Sequence, residues 1–163
     1  MPTHHLAHHL PEAAHVARTL SGLVGRAARC TPGKPVAPAT RLPIVVATYL
    51  DGAGNLAAVA LLDLSLACSA GAALVMLPRV VADEGMASGG IPDNIGENLH
   101  EVLNVWSGVF NSPSTPRVKL GAVTTSDTLA PEVAALAKAP SGRLDLEVAI
   151  PGYAAGRLTL LVR

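Results

Sequence analysis

GENLHEVLNVWSGVFN, residues 96–111 of this chain of 163, has a clear helical pattern. A rotation of about 100° per residue separates its apolar side chains from its polar ones. The apolar side, extended back by one turn, consists of Ile95, Leu99, Val102, Leu103, Trp106, Val109 and Phe110. Glu97, Glu101, Asn104 and Gly108 lie on the opposite side. The pattern predicts an amphipathic helix over about residues 92–110, which Pro113 and Pro116 end.

The polar side of this helix has two interpretations. Glu and Asn are ordinary residues on a helix face that is simply solvated. Against that, Asn is an indifferent helix former, and Gly inside a helix is destabilising by roughly 0.5–1 kcal/mol relative to Ala. Glu101 and Asn104 are three residues apart and therefore share one exposed patch. Gly108 is explained either by close approach of another backbone or by the nearby helix end, and the pattern alone leaves both interpretations open.

The residues on either side of the helix predict an α/β (α+β) domain. Before it we expect a helix over 10–29, a Pro-rich connector over 31–41, strands over 43–50 and 56–62, a helix from an Asp63 N-cap to about 77, and a short helical piece over 78–90. After it we expect a strand over 117–125, a short helix over 130–139, and a terminal hairpin of strands 143–150 and 157–163. The order predicts a mainly antiparallel sheet with helices packed on it, as one domain over residues 10–163.

Composition excludes several classes of protein. Twelve basic and twelve acidic residues balance, so there is no electrostatic footprint for nucleic acid. The apolar run 56–78 is long enough to suggest a membrane span, but Asp63 lies within it, and we interpret the run as a buried strand followed by a helix. Cys30 and Cys68 are too far apart in sequence to predict a metal knuckle, and they indicate reduced thiols in a cytoplasmic protein. Cys68 is expected in the core.

The N-terminal residues 1–9 are expected to form a flexible His-rich tail. His4 and His8, like His5 and His9, have the i,i+4 spacing that can hold zinc on a helix. No carboxylate or thiol lies nearby to complete a site, and Pro11 suits the first turn of a helix that begins after these residues. We therefore expect no metal site and interpret the segment as a polar tail.

Glu101-x-x-Asn104, with Glu97 four residues before the Glu and Gly108 four after the Asn, resembles the signature helix of the CheC/CheX/FliY chemotaxis phosphatases. The expected order of elements is similar to that family's α/β fold from about residue 12 to 163. Proteins of this family dephosphorylate the response regulator CheY. The resemblance implies a hydrolase that acts on a phosphorylated receiver domain in two-component signalling.

The resemblance also implies roles for individual residues. Asn104 would orient the attacking water, since a carboxamide both donates and accepts hydrogen bonds. Glu101 would pair with the regulator's lysine, while Glu97 and Gly108 would contribute to docking. The protein would need no cofactor of its own, because Mg²⁺ is bound by the receiver domain that serves as substrate. As in the CheX-type, a homodimer is expected, and the terminal strand 157–163 is a candidate edge for pairing with a second copy.

The chain departs from the family pattern at several points, one of which is that Pro113 ends the motif helix early. Glu97 stands where the family usually has Asp or Ser. The family has a proline roughly twenty residues after the Asn, and here Gly121 and Ala122 occupy that region. Only one copy of the motif is present. These departures keep a second hypothesis open, in which the domain is a non-catalytic binding module that docks a receiver domain or a flagellar-switch protein.

Overall fold

A computed structural model describes residues 8–38 and 42–163 of the chain. Its α-helices are α1 (Ala13–Val24), α2 (Leu64–Leu74), α3 (Arg79–Ser88), α4 (Asp93–Val105) and α5 (Pro131–Lys138). A 3₁₀ helix, Trp106–Phe110, continues directly from α4. The strands are β1 (Arg29–Pro32), β2 (Ile44–Leu50), β3 (Leu56–Leu62), β4 (Lys119–Ser126), β5 (Gly142–Ala149) and β6 (Gly156–Val162). The α+β class expected from the sequence is confirmed.

The strands form one six-stranded sheet in the order β1-β5-β6-β3-β2-β4, and every neighbouring pair is antiparallel. The terminal strand β6 lies between β5 and β3, so the expectation that it is an edge strand is wrong. One side of β6 pairs with β5, and its other side pairs with β3, from Ala58–Val162 to Leu62–Leu158. The edges of the sheet are instead β1 and β4. A local sequence pattern does not fix this position, because it depends on which non-adjacent strand pairs with β6.

Both faces of the sheet are covered, which explains why β3 is apolar at every position. Alternate side chains such as Ala58, Ala60 and Leu62 belong to the larger core under α1, α2 and α4. The others, such as Val59 and Leu61, pack with α5 on the opposite face. A strand buried on both faces shows a continuous apolar run and not the alternation of a half-buried strand. The interpretation of residues 56–62 as a strand is therefore confirmed.

Two expectations at the N-terminal side need correction. The first helix ends at Val24, not near residue 29, because Gly25 adopts the left-handed conformation (φ 67°) and its N–H donates to the Ser21 carbonyl. Residues 29–32, which overlap the expected connector, form the edge strand β1, paired with β5. Proline is tolerated at a sheet edge, where its missing N–H leaves no ladder partner unsatisfied. The four-residue strand carries too little alternation to be recognised from its sequence.

The apolar run 56–78 is a strand and a helix joined at Asp63, as expected. The Asp63 carboxylate accepts a hydrogen bond from the Leu66 N–H at 2.9 Å and caps α2. No helix in the described part of the chain has the length and apolar character that a membrane crossing requires.

The expected His-rich tail falls largely on residues 1–7, which lie outside the described residues. The described chain begins at His8, whose backbone N–H donates to the Arg163 carbonyl at 3.1 Å. Within residues 8–38 and 42–163, no group of three or more His, Cys, Asp or Glu side chains is placed to hold a metal ion.

Candidate functional site

Helix α4 presents its apolar side to the core and its polar side to solvent, as its sequence pattern predicts. All seven residues of the expected apolar side are at most 2% exposed. Glu97, Glu101, Asn104 and Gly108 are all exposed. The structure thus brings the carboxylates, the carboxamide and the glycine of the sequence motif onto the accessible surface of one continuous helical segment.

A close contact with α2 fixes the position of α4 over the sheet. At Gly71 in α2, an added Cβ atom would lie 2.6 Å from the Ile95 carbonyl oxygen and 2.6 Å from the Ile95 side chain. Only glycine allows the two helix backbones to approach this closely. Helix α4 is therefore held rigidly against α2, and the distance of its outer face from the core is fixed.

Tyr49 fixes the last turn of α4, which carries Asn104. Its buried hydroxyl donates a 2.7 Å hydrogen bond to the Leu103 carbonyl oxygen. The Tyr49 ring also packs on Phe110 of the 3₁₀ helix, with ring centroids 4.9 Å apart. Burial raises the pKa of the Tyr49 hydroxyl far above its usual range, so this group remains a hydrogen-bond donor. Tyr49 therefore anchors the backbone immediately before Asn104.

The α-helix ends at Val105, earlier than the expected Phe110, and its continuation is 3₁₀. A 3₁₀ helix has 3.0 residues per turn, so Gly108 is rotated away from the line that a regular α-helix would give. It remains exposed, and an added Cβ atom there would meet no atom within 4 Å. Packing within the described chain therefore gives no reason for glycine at position 108.

The side chains of Glu97, Glu101 and Asn104 make no hydrogen bond or ion pair with any other residue that the structure describes. By contrast, the carboxamide of Asn98 on the same helix donates to the Asn94 carbonyl at 2.7 Å. Two acceptor-only carboxylates and one amide, which both donates and accepts, are thus available to an external partner. Such a surface can bind a cation and orient a water molecule.

The region where the family has a proline is a β-bulge in this chain. Between the pairs Ala47–Val123 and Tyr49–Leu120, two residues of β4, Gly121 and Ala122, face the single residue Thr48. The Thr48 hydroxyl accepts a hydrogen bond from the Ala122 N–H at 3.0 Å. Bulges and edge strands are the places where a sheet tolerates proline. The departure from the family pattern therefore lies at an irregular point of an edge strand.

A groove of about 660 Å³ lies between the N-terminal half of α4 and the sheet. Its lining comprises Asp93, Gly96, Glu97, Leu99 and His100 of α4, Val45 of β2, Val123 and Thr125 of β4, and Ile91. Only Glu97 among these was predicted from the sequence as a site residue, and Leu99 was predicted as a core residue. The others were missed because the groove forms where two segments distant in sequence meet, and no spacing within either segment indicates it.

The cysteines do not contribute to this site. Cys68 is fully buried against the packed helices, as expected, and Cys30 is half-buried. Burial raises the pKa of each thiol to about 11. Both are therefore protonated near neutral pH and are poor nucleophiles.

Comparisons with known proteins extend this description of the fold. No family model matches the chain, and no curated protein matches it in sequence. Among solved structures, CheX of Borrelia burgdorferi, crystallised with CheY, BeF₃ and Mg²⁺, aligns with a TM-score of 0.55 and 11% identity over 94% of this chain and 99% of that chain. FliM of H. pylori, crystallised with SpeE, aligns with a TM-score of 0.52 and 14% identity over 92% of this chain and 80% of that chain.

A third structure, the FliG–FliM complex of H. pylori, aligns with a TM-score of 0.50 and 14% identity over 92% of this chain and 85% of that chain. At such identities the likeness concerns the fold. The chain therefore adopts the fold shared by CheX and FliM, which confirms the fold implied by the CheC/CheX/FliY resemblance.

Proposed function

We propose that the protein is a phosphatase of a phosphorylated response-regulator receiver domain. The observation that carries the proposal is the joint exposure of Glu101 and Asn104 on one face of a helix that is rigidly held in a CheX-like fold. The substrate is itself a folded protein, so a convex helix that presents unpaired polar groups suits it better than a deep pocket. The CheX neighbour was crystallised with CheY, which supports a receiver domain as partner.

The proposed reaction requires little covalent chemistry from this chain. A phosphorylated receiver domain already holds the phosphoaspartate, a divalent cation and a lysine, so the missing component is a water molecule in line with the phosphorus. The Asn104 carboxamide orients that water. The water oxygen bonds to phosphorus as the bond to the aspartate oxygen breaks, which yields inorganic phosphate and a free carboxylate.

Glu101 docks the partner in this mechanism. Its carboxylate pairs with the lysine of the receiver domain, and Glu97, one turn earlier, adds to the negative potential at the contact. A charge-assisted hydrogen bond of this kind also fixes orientation. Glu101 and Asn104 are three positions apart and therefore share one patch of the helix surface, so one docked geometry satisfies both roles. Mg²⁺ enters the reaction with the receiver domain.

The second candidate is a non-catalytic binding module that docks a receiver domain or a flagellar-switch protein. Two observations favour it. Gly121 and Ala122 replace the family's proline and form a bulge, and FliM, which has the same fold, was crystallised with FliG and with SpeE. In this alternative the α4 surface binds its partner and leaves the phosphoaspartate intact.

One assay separates the two candidates. A CheY-type receiver domain is phosphorylated with acetyl phosphate and Mg²⁺, and phosphate release is followed with and without the full-length protein. The phosphatase accelerates release, Asn104→Ala abolishes the acceleration, and Glu101→Ala weakens it. Glu132→Ala, an exposed acid on α5 at the opposite face of the sheet, is the matched control and keeps full activity. Binding of the receiver domain with an unchanged decay rate would establish the module instead.

The CheX-type resemblance also supports a homodimer. Because β6 is central, pairing of copies through a sheet edge would use β1 or β4. We expect light scattering at micromolar concentration to give twice the chain mass of 16.6 kDa. A monomer at that concentration would contradict the homodimer without affecting the phosphatase proposal.

A further inference from the structure

The groove between α4 and β4 has an apolar floor and a polar rim. Leu99 and Val45 lie at its floor and are at most 2% exposed, and Val123 is half-buried beside them. Asp93 and Glu97 stand on the rim and are exposed. A site of this composition suits an apolar side chain that has a cation next to it, because burial of the apolar part and neutralisation of the cation occur together.

A missing side chain on the helix keeps the groove open. Gly96 lines it, and an added Cβ atom there would meet only the Ile91 side chain, at the ordinary contact distance of 3.7 Å. Packing therefore does not demand glycine at this position. On the other wall, Thr125 is a small exposed residue of an edge strand, opposite Val45 in the sheet. Both walls can accept larger side chains without loss of core contacts.

The charge of the surroundings indicates the chemistry of the occupant. Helix α4, which forms one wall of the groove, carries three acidic residues, Asp93, Glu97 and Glu101, although the whole chain is balanced. Helix α4 itself contains no Lys or Arg. A partner that presents lysine or arginine to this face is attracted to it, and an acidic partner is repelled.

The groove is continuous with the proposed phosphatase site. Glu97 belongs to both, and it lies seven residues before Asn104, or about 10 Å along the helix axis. A typical protein interface covers about 800 Å² of each partner, which spans this distance. One receiver domain docked at Asn104 therefore also reaches the groove.

We infer that the groove is a specificity site: the receiver domain that presents its phosphoaspartate to Asn104 inserts an apolar side chain flanked by lysine or arginine between α4 and β4. The inference rests on the proposed function and adds the contact that selects among receiver domains. Glu101 and Asn104 contact groups that receiver domains have in common. The groove contacts the part of the receiver surface that lies beyond those common groups. Loss of the groove therefore weakens binding and leaves the chemical step intact.

Two variants that fill the groove from opposite walls test this inference. Thr125→Tyr adds an aromatic ring from the strand, and Gly96→Leu adds a side chain from the helix. Thr124→Tyr is the matched control, because successive strand residues point to opposite faces of the sheet and Thr124 is also exposed. Circular dichroism and thermal unfolding verify that each variant is folded.

The probe is a CheY-type receiver domain, loaded with BeF₃⁻ and Mg²⁺ for binding and phosphorylated for turnover. We expect both groove variants to raise Kd and KM at least about tenfold, with the maximal rate unchanged, and Thr124→Tyr to match the wild type. Equal binding by all three variants and the wild type, with phosphatase activity present, would overturn the groove and leave the proposed function standing. A wild-type protein that neither binds the receiver domain nor releases phosphate would overturn both.

Discussion

Tyr49 and Asn104 show how single residues position the proposed chemistry. Asn104 contributes the exposed carboxamide, and Tyr49 holds the backbone next to it through the Leu103 carbonyl. An error of about 1 Å in the position of a catalytic group lowers a rate by about 100-fold. A hydroxyl buried beneath the helix therefore matters to a reaction at its surface.

Tyr49→Phe removes this hydrogen bond and keeps the ring that packs on Phe110. We expect the free energy of unfolding to fall by about 1 kcal/mol, since the Leu103 carbonyl loses a partner, and phosphate release to slow. Tyr153→Phe is the control, because the Tyr153 hydroxyl likewise donates to a backbone carbonyl, that of Leu77, outside α4. Equal phosphatase rates for the two variants, measured beside denaturant melts, would contradict the positioning role.

Substitution of Gly108 tests whether this residue belongs to the docking surface. Because a Cβ atom there meets nothing within 4 Å, Gly108→Ala keeps the fold and gains up to about 1 kcal/mol in stability. If a partner packs closely on this glycine, calorimetric titration with a receiver domain loaded with BeF₃⁻ shows weaker binding. Gly22→Ala, at an equally open helical position in α1, is the control and binds normally. Unchanged affinity in both variants would remove Gly108 from the docking surface.

The position of helix α4 depends on its contact with α2. Gly71→Ala places a methyl group 2.6 Å from the Ile95 carbonyl oxygen, and we expect it to destabilise the protein by about 1–3 kcal/mol. Gly22→Ala is stabilising by up to about 1 kcal/mol, since it removes a flexible residue from an open helical position. Thermal unfolding of both variants measures the difference. A Gly71→Ala protein as stable as the wild type would mean that the close contact with α2 does not hold α4 in place.

Elements with strong periodicity could be predicted from the sequence, and those defined by distant partners could not. The buried face of α4, the strands β2 and β3, and the terminal hairpin follow from apolar spacing and turn residues within single segments. The edge strand β1 was missed because its four residues include Pro32 and show no alternation. The central place of β6 and the change to 3₁₀ geometry at Trp106 depend on tertiary contacts.

Some parts of the candidate site could likewise be predicted from the sequence, and others could not. Glu97, Glu101 and Asn104 lie on one helix, so their common exposure could be predicted from helical spacing. The groove beside them could not, because Thr125 comes from β4 and Asp93 from α4. Likewise, nothing in the strand that contains Tyr49 indicates that its hydroxyl reaches Leu103, 54 residues later.

Charge is distributed unevenly along the chain. Five acidic residues and one basic residue lie within 79–110, while the chain as a whole has twelve of each. Helix α4 carries three of these acids, Asp93, Glu97 and Glu101, and no Lys or Arg. Its exposed face therefore attracts a basic partner over about one Debye length, roughly 10 Å at 0.1 M salt.

This asymmetry predicts that association with a CheY-type receiver domain depends on salt. We expect the association rate in stopped-flow measurements to fall several-fold between about 20 mM and 300 mM NaCl, with a smaller change in dissociation. Glu97→Gln reduces that dependence, and Glu132→Gln, an exposed acid on α5, leaves it unchanged. An association rate that is insensitive to salt would contradict electrostatic docking through the α4 face.

A comparison of Asn104→Ala with Asn98→Ala, on the same helix, shows directly whether Asn104 orients the attacking water. Alanine favours the helix over asparagine, so neither variant is expected to unfold. We predict that Asn104→Ala still binds a receiver domain loaded with BeF₃⁻ and Mg²⁺ but accelerates phosphate release at least about 100-fold less than the wild type. Asn98→Ala retains full activity. Phosphate release by Asn104→Ala at the wild-type rate would contradict the account.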